Sequence, residues 1–93
     1  MNYRRISPEN IPSLHFPKFD VITTPADKEE RVHGLRSATA LTTSDHEEVG
    51  LVVQLDTGEI VEVISNMIDY EGDFVEIKGG YIIPLKAIMR VEI

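Results

Sequence analysis

Apolar residues at 49, 51, 53 and 55 alternate with other residues through Val49-Gly50-Leu51-Val52-Val53-Gln54-Leu55, the pattern of a strand that turns one face to a core. Asp56-Thr57-Gly58 supplies a turn, and Glu59 to Ile68 returns as one long strand. Glu71-Gly72-Asp73 marks a second turn, followed by a short strand from Phe74 to Lys78 with Val75 and Ile77 on one face. Gly79-Gly80 marks a third. Pro84 interrupts pairing in the segment after it, so Pro84 to Ala87 is expected to form a single 3₁₀-like turn before a last strand carrying Met89, Val91 and Ile93. The small and β-branched residues of Leu35 to Thr43 suggest a fifth strand.

The N-terminal part has a different texture. Pro8, Pro12, Pro17 and Pro25 exclude a long helix or a central strand from Tyr3 to Thr24, which is expected to run mostly extended over the surface, with Leu14, Phe16 and Phe19 as anchors. Ser7-Pro8-Glu9-Asn10 resembles a capped helical start that Pro12 stops after about one turn. In Thr24-Pro25-Ala26-Asp27-Lys28-Glu29-Glu30-Arg31-Val32-His33-Gly34 a capping threonine, proline at the first helical position, early acids, late Arg31 and His33, and a closing glycine predict a short helix. The chain therefore divides into an extended segment, 1–24, and a β domain preceded by a short helix, 25–93.

Five short strands joined by tight turns predict a mainly β fold: a small five-stranded SH3-like or Sm-like barrel, since a sheet this short hides its ends by curling. The last strand is expected to close against Val49–Leu55, with Ile83, Leu85, Ile88, Val91 and Ile93 in the core.

Composition and charge narrow the function. Hydrophobic residues make up 42% and charged residues 27%, as in ordinary globular proteins. No apolar run is long enough to span a bilayer, MNYRRISPEN lacks the apolar stretch of a secretory signal, and the absence of cysteine makes the cytoplasm the expected compartment. Residues 1–44 carry a net charge of +1 and residues 45–93 a net charge of −8. Carboxylates in that excess repel phosphate, so direct binding to nucleic acid is not expected.

Candidate chemistry is sparse. Asp45-His46-Glu47-Glu48 has metal-ligand residue types, but consecutive side chains rarely converge on one ion, and a solvated turn is the better reading. Asp69, Glu71 and Asp73 lack the ligand ladder of a calcium loop. His15 lies within a proline-rich segment, and His33 at a helix end reads as a charge set against the helix dipole. No serine or threonine sits in a glycine elbow, and Gly79-Gly80 lacks the lysine and helix of a phosphate loop. An enzyme is not expected, and no metal or cofactor is implied.

Two motifs carry a resemblance. Leu51-Val52-Val53-Gln54-Leu55-Asp56-Thr57-Gly58-Glu59 resembles the opening element of Sm-like domains, and Ile77-Lys78-Gly79-Gly80-Tyr81-Ile82 their closing element. The spacing is similar to that of the Rho-binding antiterminator family, small acidic Sm-like proteins that bind the transcription terminator Rho and block its RNA site. The resemblance, which covers about residues 25–93, implies a protein partner that itself binds nucleic acid. The asparagine with which Sm domains contact RNA has no counterpart after Ile68-Asp69, and Pro84 to Ala87 is an addition to the pattern.

Two function classes follow. In one, an acidic face made by Glu59, Glu62, Asp69, Glu71, Asp73 and Glu76 engages a basic surface on another protein. In the other, the chain is a structural subunit or homo-oligomer that buries residual apolar surface such as Val52, Phe74 and Ile82.

Overall fold

The computed structural model describes residues 3–93. Its elements in chain order are β1 (Arg4–Ile6), a 3₁₀ helix (Pro8–Ser13), α1 (Pro25–Asp45), β2 (Val49–Gln54), β3 (Ile60–Ser65), β4 (Ile68–Tyr70), β5 (Phe74–Ile77), β6 (Tyr81–Pro84), a 3₁₀ turn (Leu85–Ala87) and β7 (Ile88–Glu92). The strands form a four-stranded sheet ordered β1-β3-β2-β7 and a three-stranded sheet ordered β4-β5-β6. The mainly β expectation holds. The closed five-stranded barrel does not: among the described residues seven strands lie in two sheets, and neither sheet closes.

Two breaks separate the sheets. The long strand expected from Glu59 to Ile68 is cut at Ser65-Asn66-Met67, where the Ser65 hydroxyl donates to the Met67 carbonyl at 2.8 Å and accepts from the Met67 and Lys78 N–H groups. That local bonding competes with the ladder and turns β3 out of line with β4. The second break is the anticipated 3₁₀ turn after Pro84, whose first N–H, that of Leu85, donates to the Asp73 carbonyl at 2.9 Å. The expected closing contact is present, with β7 antiparallel to β2 (Leu51↔Val91, Val52↔Arg90) and a bulge after Val52.

The helix is the main correction. Thr24 caps it as expected, its hydroxyl accepting the Asp27 N–H, but Gly34 does not end it; α1 runs on through the segment expected as a fifth strand. Arg31, Leu35, Ala38 and Thr42 are its buried residues, spaced four, three and four apart on one face. Gly34 costs about 1 kcal/mol of helix propensity relative to alanine. In return α1 lies close to β7, since a side chain at position 34 would meet Val91 at 3.4 Å. His33 thus sits mid-helix and exposed, and Arg31 is 3% exposed rather than at a solvated helix end.

From this position α1 satisfies backbone groups of β4 and β7 that have no strand partner. The Thr42 hydroxyl accepts the Ile68 N–H at 3.2 Å and donates toward the Ile68 carbonyl, while the Thr39 hydroxyl accepts the Tyr70 N–H at 3.3 Å, so the outer edge of β4 is capped by threonines. Arg31 Nη1 donates to the Ile88 carbonyl at 3.0 Å on β7. The segment expected as a fifth strand thus lies in a helix that caps the edge of β4 and bonds the start of β7.

The N-terminal segment wraps the sheets. β1 pairs parallel with β3, a long-range contact that brings Ile6 into the core, and the 3₁₀ helix continues through Pro12 to Ser13, burying Ile11 against β6. Leu14 and Phe16 pack on the core as expected, whereas Phe19 is 64% exposed. Asp20 is the firmer anchor. Arg31 Nη1 and Nη2 donate to its two carboxylate oxygens at 2.8 and 2.9 Å, and Val21 N–H donates to the Lys86 carbonyl at 2.9 Å.

Between the sheets lie Leu35, Leu51, Val53, Val61, Val63, Val75, Ile77, Ile83 and Ile88, all fully buried. Of the C-terminal residues expected in the core, Ile83 and Ile88 are there and Leu85 and Val91 pack against it, but Ile93 is 68% exposed. Val52 is buried on the outer side of its sheet. It shares a cross-strand row with Glu62 and Arg90, and Arg90 reaches across to donate to the Tyr3 hydroxyl at 2.9 Å, so long polar side chains cover it.

Candidate binding surface

The six carboxylates of the expected acidic face do not share one face. Glu62 lies in the four-stranded sheet with Glu59 just before β3, whereas Asp69 and Glu76 lie in the three-stranded one with Glu71 and Asp73 in the connection between β4 and β5. The two groups have opposite surroundings.

On the four-stranded sheet, β1 places arginines beside both acids. Arg4 holds Glu59 in a two-pronged pair, Nε and Nη2 each 2.8 Å from a carboxylate oxygen, and keeps the Glu59 carboxyl below its usual range. Arg5 Nε lies 3.2 Å from Glu62, which packs over Gly50, where any side chain would collide with its carboxyl. These acids are neutralised within the chain. Arg4 and Arg5 were the residues missing from the sequence reading, because the parallel pairing Arg4↔Val61 and Arg5↔Glu62 spans 57 positions and leaves no local pattern.

On the three-stranded sheet the pleat sends Ile68, Val75, Ile77 and Ile83 inward and the residues between them outward. Asp69 stands opposite Glu76, and Glu76 opposite Ile82, so one row across three strands reads acid, acid, isoleucine. Glu71 follows at the end of β4. Hydrogen bonding to the Asp69 carboxyl, then that group's charge and more weakly that of Glu76, pushes the Glu71 carboxyl above its usual value. None of Asp69, Glu71, Asp73 and Glu76 forms an ion pair among the described residues. Asp73 lies in the β4–β5 turn, exposed and outside the Asp69–Glu71–Glu76 group.

Apolar surface lies within this acidic patch. Ile82 is 51% exposed in the same row, and half-buried Phe74 is two residues from Glu76 on the same face of β5. An apolar centre with charged neighbours is the anatomy of a protein-binding surface. Of the three apolar residues expected to remain available, Ile82 is exposed, Phe74 is half-buried and Val52 is covered.

The remaining candidates separate. Asp45 ends α1, His46 caps it in the left-handed region at φ 55°, and Glu47 and Glu48 follow, all exposed. No cluster of three or more histidine, aspartate or glutamate side chains suited to a metal ion occurs among the described residues. No helix among them is long and apolar enough to cross a membrane. Compared with family models, curated proteins and solved structures, the chain matches none of them.

Proposed function

We propose that the protein is a non-enzymatic binding module whose three-stranded sheet presents Asp69, Glu71 and Glu76, around Ile82, to a basic surface on another protein. One observation carries this reading: like charges are set directly opposite each other in the Asp69↔Glu76 pair, with Glu71 beside them and no ion pair to any of the three among the described residues. Facing like charges destabilise a sheet. A partner's lysines and arginines would relieve that repulsion, and complementary charge would speed and orient the encounter.

Basic surfaces of this kind are those that hold phosphate, so the partner belongs among nucleic-acid-binding proteins. The resemblance to Rho-binding antiterminators makes a transcription termination factor the specific candidate, with the acidic face occupying the site of RNA and the protein itself not binding nucleic acid. The Sm-like barrel reading accompanies this proposal. Its support is strand order alone: with β3 and β4 counted as one bent strand, the antiparallel neighbours β2–β3, β4–β5, β5–β6 and β7–β2 follow the order of a five-stranded barrel, left open where β6 and β7 do not pair. The cytoplasm is the compartment in which such a partner works.

The test is a photo-crosslinking residue placed at position 82 in a native lysate, with position 45 as the control. A basic nucleic-acid-binding protein should crosslink at 82, release at high salt, and fail to crosslink when Asp69→Lys and Glu76→Lys are introduced together. A crosslink only to another copy of this chain, or one indifferent to both salt and charge reversal, would overturn the proposal in favour of a structural subunit.

A further inference from the structure

Sheet edges expose unpaired N–H and C=O groups, and folded proteins blunt them. Three of the four edges here are managed. β1 is three residues long and carries Arg4 and Arg5, β4 is capped by Thr39 and Thr42, and β6 is short, ends in Pro84 and packs near the Pro8–Ser13 helix. The fourth edge, that of β7, is managed only at its start, where Val21 N–H meets the Lys86 carbonyl and Arg31 meets the Ile88 carbonyl. From Met89 to Glu92 no hydrogen bond among the described residues caps the side of β7 that faces away from β2, although alternate backbone groups of an antiparallel strand point that way.

A groove of about 620 Å³ runs along this stretch, between β7 and the N-terminal half of α1, with Val21 to Thr23 at one end. Met89, Val91 and Ile93 give it apolar positions, and Ile93 is 68% exposed. Its lining carries Asp27, Glu30, Arg31, His33 and Arg90. Arg31 and Arg90 are already engaged, by Asp20 and by Glu92, which leaves Glu30, and Asp27 with its 2.6 Å hydrogen bond from the Thr24 hydroxyl, on the helix wall without a salt bridge among the described residues. Arg31 also contributes the one buried side-chain nitrogen or oxygen of the described residues without a hydrogen-bond partner, its Nε, in a side chain that is 2% exposed.

We propose that this groove is a strand-addition site, in which an extended basic segment of another protein pairs with the open edge of β7 and sets its cations against Asp27 and Glu30. Main-chain hydrogen bonds to Met89–Glu92 supply the register, and apolar side chains at alternate positions of the segment meet Val91 and Ile93. A second copy of this chain fits less well, because it would bring the same carboxylates and a net charge of −7 to the contact. The site is separate from the acidic face of the three-stranded sheet and does not depend on the function proposed for that face.

The probe is an alternating lysine–valine peptide about ten residues long, titrated into the isotopically labelled full chain while backbone amide shifts are followed. Shifts and slowed amide exchange should concentrate at Met89–Ile93 and Glu30–Ser37, and Glu30→Lys should weaken binding by about fivefold. Methylating alternate peptide nitrogens on one side of the strand should weaken it by about tenfold or more, and methylating the other side should change little. An Asp69→Asn, Glu76→Gln variant should bind the peptide as the parent does. Equal binding by both methylated peptides, equal binding by a glutamate–valine peptide, or absence of shifts along β7 would overturn the proposal. Loss of binding in the Asp69→Asn, Glu76→Gln variant would also overturn it, since the peptide would then be reading the three-stranded sheet.

Discussion

Glu59 and Glu71 are both exposed glutamates beside strand ends, yet their carboxyls are displaced in opposite directions. Arg4 holds Glu59 ionised, while hydrogen bonding to Asp69, together with its charge, favours the protonated form of Glu71. The difference comes from what each sheet packs beside its acids. The four-stranded sheet includes β1, which delivers two arginines from far away in the chain; on the three-stranded sheet none of the acids has an ion-pair partner among the described residues. A carboxylate paired within the chain gains little from a partner's cations, and one facing another carboxylate gains more. The excess negative charge of residues 45–93 therefore becomes a candidate site on one sheet and surface pairing on the other.

The contrast is sharpest where the four-stranded side extends inward to Arg31. Its side chain is 2% exposed and balanced by Asp20, so Asp20→Ala should strand a buried cation and cost about 3 kcal/mol of stability, measured by chemical denaturation. A loss below about 1 kcal/mol would mean that the pair is no different from the exposed Arg4–Glu59 bridge. On the three-stranded side the matching change is Thr42→Val, which leaves the Ile68 N–H on the β4 edge without its acceptor and should cost about 2 kcal/mol. Amide exchange at Ile68 and Tyr70 should accelerate in that variant and not in Asp20→Ala if the two anchors serve different sheets.

The hairpins allow a like-for-like test. Gly58 in the β2–β3 turn and Gly72 in the β4–β5 turn have φ of 92° and 93°, and neither has a neighbour that an added Cβ would strike. Gly58→Val and Gly72→Val should each cost about 1 kcal/mol or more through backbone strain alone, read as a lowered melting temperature. Unequal losses would show that one turn carries more of the fold than the other.

The smallest effects are those of titration. Asp20 and Glu59 have lowered folded-state values, so their contribution is present above the ordinary carboxylate range and is lost as pH falls through the lowered values. Glu71 has a raised value, so the folded state holds its proton more tightly than the unfolded chain does. Its contribution declines as pH rises from the ordinary glutamate value through the raised one, and returns on acidification. Carboxyl titration by NMR should place the Glu71 midpoint above that of Glu59. Asp69→Asn should lower the first and Arg4→Ala should raise the second; midpoints that stay put would remove the electrostatic basis of the comparison.

Much of the fold was legible along the chain because turns and alternation are local. Gly58, Gly72 and Gly79 all adopt positive φ at the turns where glycine was anticipated, and the strands between them lie close to where alternation puts them. The start of α1 was legible for the same reason, since Thr24 and Pro25 act within one turn. Its end was not. Gly34 looks like a stop, and the helical spacing of Arg31, Leu35, Ala38 and Thr42 that betrays the longer helix includes an arginine and a threonine, which no apolar count registers. The candidate site was legible as composition only: the six acids were visible, but not which of them would meet an arginine.

The sequence by itself determined the elements whose causes lie within a few residues: the turns, the alternating strands, the proline-interrupted approach to β7, and the acidic excess of residues 45–93. Tertiary structure decided the rest, because it depended on groups far apart in the chain. Ser65 splits a long strand by bonding to Lys78 as well as to its own neighbour, α1 caps the edge of β4 and one carbonyl at the start of β7, and β1 carries Arg4 and Arg5 to Glu59 and Glu62, whereas Asp69, Glu71 and Glu76 form no ion pair among the described residues. Hydrogen bonding and ion pairing act over a few ångströms of space, and only folding sets which side chains come within that reach.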